Sequence, residues 1–158
     1  IDIANENDTK TVITLSDPNI VSFFRDNMIK LFNKKSHIVF CNEQEALNFS
    51  QADNLKDAEV FLKELTDMYI ITCGPKGAIC FDGINDYRVT GNQVISKDFT
   101  GAGDMFLGAF MHKYIGDNIL ESMKFANYCA SKIIQIYGAK FSNPNDYKEL
   151  KKKFKSLT

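Results

Sequence analysis

Asp98-Phe99-Thr100-Gly101-Ala102-Gly103-Asp104-Met105-Phe106 is the stretch from which the rest of the chain is best read. Three small residues in a row let the backbone turn tightly and come close to a ligand. The sequence beyond them predicts a helix from about Ala102 to Tyr114, stopped by Gly116. The first N–H groups of such a helix have no intrahelical partner. With the positive end of the helix dipole they form an anion site. Hydrogen bonds to a charged group contribute about 1.5–3 kcal/mol each, so two or three aimed at a migrating phosphoryl group lower its barrier considerably. Asp104 falls in the first turn, where a carboxylate can take a proton from a hydroxyl. Phosphoryl transfer asks for positioning and charge stabilisation more than for a strong base. On the residues alone a second reading stands beside this one: Asp104 caps the helix and the glycines only make a turn.

Upstream, strand and helix patterns alternate. Residues 1–10 are polar and read as a loop or frayed end. Thr11 to Leu15 is a short β-rich run closed by Ser16-Asp17-Pro18. Apolar residues then recur at Ile20, Phe23, Phe24, Met28, Leu31 and Phe32, a helical spacing that predicts one buried face. His37 to Cys41 is a second strand, and Asn42 opens a short helix from Glu43 to Phe49. A further helix spans Leu55 to Leu65 with Ala58, Phe61, Leu62 and Leu65 inward. Tyr69 to Cys73 is a third strand, Gly74-Pro75-Lys76-Gly77 a turn, and 78–81 with 87–90 a hairpin. Downstream, a helix runs from Ile119 to Tyr137, ended by Gly138, and Pro144 and Asn145 introduce a last short helix. This order predicts an α/β sandwich with a mostly parallel sheet. Ligands bind such sheets at the carboxyl ends of strands. Three polar turns there claim attention: Asn42 to Glu45, Gly74 to Gly77 and Asp98 to Asp104.

The 158 residues suit one domain, 44% hydrophobic and 25% charged, and the net charge of −1 points to neither a nucleic acid nor a membrane partner. Lys148, Lys151, Lys152, Lys153 and Lys155 read as a solvated helix face. There is no secretory h-region and no apolar run near the roughly 20 residues of a membrane span. Cys41, Cys73, Cys80 and Cys129 form no CxxC pair, and His37 and His112 are not spaced with them as metal ligands. Buried free thiols are the reading, and they suggest a reducing, cytoplasmic setting. A Walker P-loop needs G-x-x-x-x-G-K-[ST], which is missing. The glycine after Gly101-Ala102-Gly103 that a dinucleotide site needs is missing, and so is G-x-S-x-G.

The quoted stretch resembles the D-T-x-G-A-G-D-x-F signature of the ribokinase-like (PfkB) carbohydrate and nucleoside kinases, departing from it at Phe99. The resemblance implies that Asp104 is the catalytic base and that the backbone of Gly101, Ala102 and Gly103 is the anion hole. Some relatives build a monovalent-cation site around the first aspartate, so K⁺ near Asp98 is a further implication, one that Phe99 bears upon. Asn42-Glu43-Gln44-Glu45 resembles the family's N-x-x-E motif, which organises Mg²⁺ and phosphates, the glutamate largely through water. From the residues alone Asn42 is equally a helix N-cap with Glu45 completing a capping box, and both can hold at once. Thr72-Cys73-Gly74-Pro75-Lys76-Gly77 is similar to the T-x-G-x-x-G loop along the ATP, which makes Thr72, Gly74, Lys76 and Gly77 nucleotide contacts. Asn127, in Phe125-Ala126-Asn127, matches the asparagine that borders the adenine, and Gly138-Ala139 the G-A that follows.

The resemblance runs from about Thr11 to Phe154 and leans toward the adenosine-kinase-like branch. It implies a three-layer α/β/α ribokinase-like fold. Residues 1–158 would be the C-terminal nucleotide-binding and catalytic part of a kinase domain whose N-terminal lid lies outside the chain. The implied activity is transfer of the ATP γ-phosphoryl group, with Mg²⁺, to a hydroxyl of a sugar or nucleoside, adenosine or a related ribosyl or fructosyl compound. A homodimer through the lid is implied as well. A catalytically impaired nucleotide- or ligand-binding fragment on the same fold is the alternative, and a base at Asp104 argues against it.

Overall fold

The computed structural model describes residues 1–32, 38–115 and 118–156. His37, placed at the start of the second strand, and Gly116, placed at the end of a helix, lie outside the described residues. The chain forms two compact units, one of Ile1–Cys73 and Ile79–Tyr87, the other of Gly74–Ala78 and Arg88–Thr158.

The first unit is organised by the sheet. Strands β1 (Val12–Thr14), β2 (Ile38–Asn42), β3 (Met68–Thr72), β4 (Ala78–Phe81) and β5 (Asp86–Val89) lie in that spatial order. β1 pairs with β2 and β2 with β3, both parallel, and Asn42 is the register partner of Thr72. Every residue of β2 and β3 is buried except the last of each, the continuous apolar pattern of parallel strands covered on both faces. β4 and β5 are joined by a tight hairpin in which the Asp82 carboxylate accepts from the Ile84 and Asn85 amides. Helices α2 (Pro18–Phe32), α3 (Glu43–Ser50) and α4 (Leu55–Leu65) belong to this unit. Their inner faces meet β2 and β3 in a core that holds Phe32, Phe49, Leu62, Tyr69 and Ile71. Phe49 packs edge-on against both Phe32 and Phe61.

Two expectations fail here. Asp2–Glu6 is a short helix, α1, rather than a loop. It buries no residue, so no apolar period announces it in the sequence. In α2 the buried residues are Val21 and Phe32, with Met28 and Ile29 partly buried against the core. Ile20, Phe23, Phe24 and Leu31 are exposed. The helix is broken at Phe24 (φ −116°, ψ 16°), so one helical period does not carry across it and the spacing misplaces the buried face.

The second unit is helical, with α5 (Ala102–Tyr114), α6 (Ile119–Ile133) and α7 (Pro144–Lys155). Met123, Ala126 and Ile133 line the inner side of α6, and Phe106 and Phe110 are buried on α5. α7 attaches through Leu150 and Phe154, the latter edge-on to Phe125. Its lysines 148, 151, 152, 153 and 155 are exposed, as the charge pattern led us to expect. α6 ends at Ile133, four residues before the expected Tyr137. The cause is local. The Ile134 carbonyl, which would receive the Gly138 amide in a continuing helix, accepts from Lys97 and Asp98 instead, and the Gly138 amide donates to Asp98 Oδ2 at 2.8 Å.

Candidate active site

In the second unit the site is built around the start of α5. Gly101 sits at the N-cap with φ +78° and gives no side-chain cap. An added Cβ would stand 2.8 Å from Ala139 Cα, Cβ and O. Both the left-handed backbone and the close approach therefore demand glycine. The Ala102 amide donates to the Phe99 carbonyl at 3.1 Å, and the Met105 amide to Gly101 at 2.9 Å. The Gly101, Gly103 and Asp104 amides have no acceptor among the described residues, and Gly103 and Asp104 are exposed. Of the amides expected to form the anion site, Ala102's is thus already engaged, because the tight turn needs it.

Asp98 fixes this turn. Its Oδ1 accepts from the Thr100 amide at 2.9 Å and hydroxyl at 2.7 Å, and its Oδ2 takes the Gly138 amide. The Thr100 hydroxyl first, then the two amides, hold the Asp98 carboxyl down to about 2. Both oxygens are thus occupied by donors from the protein. Phe99 is 67% exposed and touches none of these bonds with its side chain.

Asp104 also opens a cleft of about 570 Å³ that runs along α5 past Gly108 to His112 and is walled by Phe125 and Cys129. Burial pushes the Cys129 thiol up to about 12, so it serves as apolar wall rather than nucleophile. Tyr147, Lys148 and Lys151 of α7 close the far side, and Lys151 Nζ lies 3.2 Å from His112 Nε2. Sequence reasoning gave these lysines no place at the site, since a charge run carries no sign of the cleft it borders.

The turn Gly74–Lys76 is a single 3₁₀ turn, closed by the Gly77 amide donating to Gly74. Gly77 has φ +107°, and a Cβ there would run into the Val89 carbonyl oxygen. The turn therefore lies directly on the backbone of residues 89–91. Lys76 is exposed on it. Asn127 donates through Nδ2 to the Thr90 carbonyl at 2.7 Å. Its observed task is to hold that segment, a long-range bond invisible in the sequence.

In the first unit, Asn42 and Glu45 form a complete capping box. Asn42 Oδ1 accepts the Glu45 amide at 2.9 Å, the Asn42 amide donates to Glu45 Oε2 at 3.0 Å, and Asn42 Nδ2 donates to Oε1 at 2.7 Å. Glu45 is 5% exposed, and burial pushes its carboxyl pKa up against the lowering effect of the Asn42 amide. Thr72 ends the neighbouring strand, its hydroxyl 3.5 Å from the Cys41 carbonyl. Among the described residues no three His, Cys, Asp or Glu side chains converge on a metal position. Mg²⁺ does not need such a cage: it keeps several waters and takes one or two carboxylates plus substrate phosphates. Each Glu45 oxygen accepts one bond here and retains lone pairs. The pair therefore fits a hold on Mg²⁺ through water.

All four cysteines are free and buried. No helix among the described residues is long and apolar enough to cross a membrane.

Residues 1–146 match the pfkB family of carbohydrate kinases. The chain belongs to that family. It is 32% identical over 114 residues to an uncharacterized sugar kinase of Archaeoglobus fulgidus, covering 70% of this chain and 45% of that protein. It is 30% identical over 115 residues to a Staphylococcus aureus ribokinase, covering 68% and 38%. The crystal structure of adenosine kinase from Sinorhizobium meliloti superposes on 99% of this chain and 47% of that one, with a TM-score of 0.90 and 26% identity. The five-stranded sheet with its helices is thus a ribokinase-like α/β fold, and the chain spans less than half the length of these pfkB relatives.

Proposed function

We propose that residues 1–158 are the nucleotide-binding and catalytic part of an ATP-dependent kinase that phosphorylates a hydroxyl of a sugar or nucleoside. The observation that carries this reading is the start of α5: amides at Gly101, Gly103 and Asp104 with no acceptor among the described residues, beside an exposed carboxylate. In the proposed reaction Asp104 takes the proton from the acceptor hydroxyl as its oxygen attacks the γ-phosphorus. The three amides hold charge that develops on the phosphoryl oxygens. Asp98 keeps the turn closed, so that these donors are aimed before substrate arrives. A cation near Asp98 would meet Oδ2, which accepts one bond and keeps a lone pair, since Oδ1 already accepts two.

The turn Gly74 to Gly77, with Lys76, and Thr72 are the proposed contacts of the nucleotide, and Asn127 supports its pocket through Thr90. Asn42 and Glu45 are the residues that would hold Mg²⁺, which when bound neutralises charge on the phosphates. The family supports a sugar or nucleoside as acceptor, and the likeness to an adenosine kinase makes a ribosyl compound the first to try. The test is ATP consumption with a panel of sugars and nucleosides, using the protein at its relatives' length. Activity with at least one acceptor that disappears in Asp104→Asn bears the reading out. Transfer left intact by Asp104→Asn overturns the assignment of the base.

A further inference from the structure

Charge is divided unequally between the two compact units. The unit of Ile1–Cys73 and Ile79–Tyr87 carries seven Lys and Arg against fourteen Asp and Glu, a net −7. The unit of Gly74–Ala78 and Arg88–Thr158 carries twelve against six, a net +6. The chain's overall −1 hides both. The start of α5, where the proposed reaction takes place, belongs to the positive unit. Four lysines of that unit lie around it. Lys97 directly precedes Asp98, whose carboxylate closes the turn. Lys140 directly follows Ala139, against which Gly101 packs. Lys148 and Lys151 line the cleft that Asp104 opens. All four are exposed.

Three other lysines are neutralised by neighbours: Lys63 by Asp86, Lys124 by Glu121 and Lys152 by Glu149, each at 2.8 Å. Among the described residues Lys97, Lys140, Lys148 and Lys151 have no carboxylate within ion-pair distance, and Lys151 is turned to His112. Cations gathered without carboxylates repel one another, and an arriving anion relieves that repulsion. Charge of one sign around a cleft also focuses the field and speeds the arrival of an oppositely charged ligand, by about 10–10³-fold. We propose that Lys97, Lys140, Lys148 and Lys151 form a funnel that captures the polyanionic nucleotide and delivers it to the amides of Gly101, Gly103 and Asp104. Here the kinase reading supplies the identity of the anion. The four lysines act at a distance. They raise the association rate and set its dependence on salt, and they take no part in the transfer itself.

The test is stopped-flow binding of Mg²⁺ with a fluorescent methylanthraniloyl ATP to the protein at its relatives' length, in sodium chloride from about 10 mM to about 1 M. Over that range the Debye length falls from about 30 Å to about 3 Å. With all four lysines changed to Gln, the association rate at low salt should fall by about tenfold, and the gap should close at high salt. The dissociation rate should change by less than about twofold. The same four positions changed to Arg should keep the parent's rate and salt slope. Lys56→Gln, exposed in the first unit, should leave both as they are. In steady state the fourfold Gln protein should show a raised KM for ATP with kcat kept. Equal rates and salt slopes in the parent and the Gln protein would overturn the funnel. So would a loss that persists at high salt, or a fall in kcat without a rise in KM. Failure of the kinase reading looks different: the nucleotide binds with salt-dependent kinetics, but no acceptor is phosphorylated. A parent protein that binds no nucleotide would overturn both. Circular dichroism melts check folding. Should the fourfold protein not fold, Lys97→Gln with Lys140→Gln and Lys148→Gln with Lys151→Gln are measured as pairs, each with an expected fall of about threefold at low salt.

Discussion

Two helix starts in this chain solve the same problem in opposite ways. At α3 the orphan amides are closed off inside the protein, with Asn42 taking the Glu45 amide and Glu45 answering to Asn42. α4, α6 and α7 are likewise capped by the side chains of Asn54, Asn118 and Asn143. At α5 the N-cap is Gly101, with no side chain to offer. Unpaired amides cost stability unless water or a ligand takes them. A helix that leaves them exposed, on a glycine held in the left-handed region, keeps donors available for the anion proposed above. The comparison teaches where to look for function: the helix start that omits a cap its neighbours possess.

The strongest way to break this contrast is at Asp104. Asp104→Asn should lower kcat by about 10²–10⁴-fold, with nucleotide affinity by calorimetry nearly unchanged. A loss of affinity in place of kcat would make Asp104 a binding residue. Next comes Gly101→Ala, which imposes a side chain on a left-handed N-cap in contact with Ala139. The expected loss is about 2–4 kcal/mol in urea unfolding, from the left-handed backbone and the overpacking together. A near-neutral result would show that the turn relaxes and that glycine is not required. At the capped helix, Asn42→Ala should cost about 1 kcal/mol, a structural loss that Gly101→Ala exceeds.

The smallest effect separates the two regions by sign. Asp98 is held below its ordinary 3.8, at about 2. The stability it contributes is present above 3.8 and is lost as pH falls toward 2. Glu45 is raised above 4.5. Its contribution is greatest below 4.5 and is lost as pH rises through the raised value. Measured against Asp98→Asn, the parent chain should weaken on acidification; measured against Glu45→Gln, it should weaken as pH rises from 4.5 toward neutrality. Parallel profiles would contradict the opposite environments of the two carboxyls.

Much of the fold was legible because its signals are local. The apolar runs of β2 and β3 and the Asn42 cap with its Glu three residues on are patterns within a few residues. So is the small-residue opening of α5. What was not legible depends on partners far along the chain. The early end of α6 follows from Lys97 and Asp98 taking the Ile134 carbonyl, nearly forty residues apart in sequence. The inward face of α2 depends on the break at Phe24, which the apolar spacing does not reveal. The place of Asp104 and the glycines at the start of α5 could be read directly, whereas Ala102's engaged amide, the bond of Asn127 to Thr90 and the cleft beside His112 and Lys151 required the backbone path.

The most direct test of the central claim is the amide spectrum of the protein during titration with Mg²⁺ and a non-hydrolysable ATP analogue. The Gly103 and Asp104 amide resonances should move strongly as they acquire an acceptor, while Ala102, bonded to Phe99, and Asp57, bonded to Asn54, keep their hydrogen-bonded positions. Saturating nucleotide that leaves Gly103 and Asp104 unmoved would contradict the account.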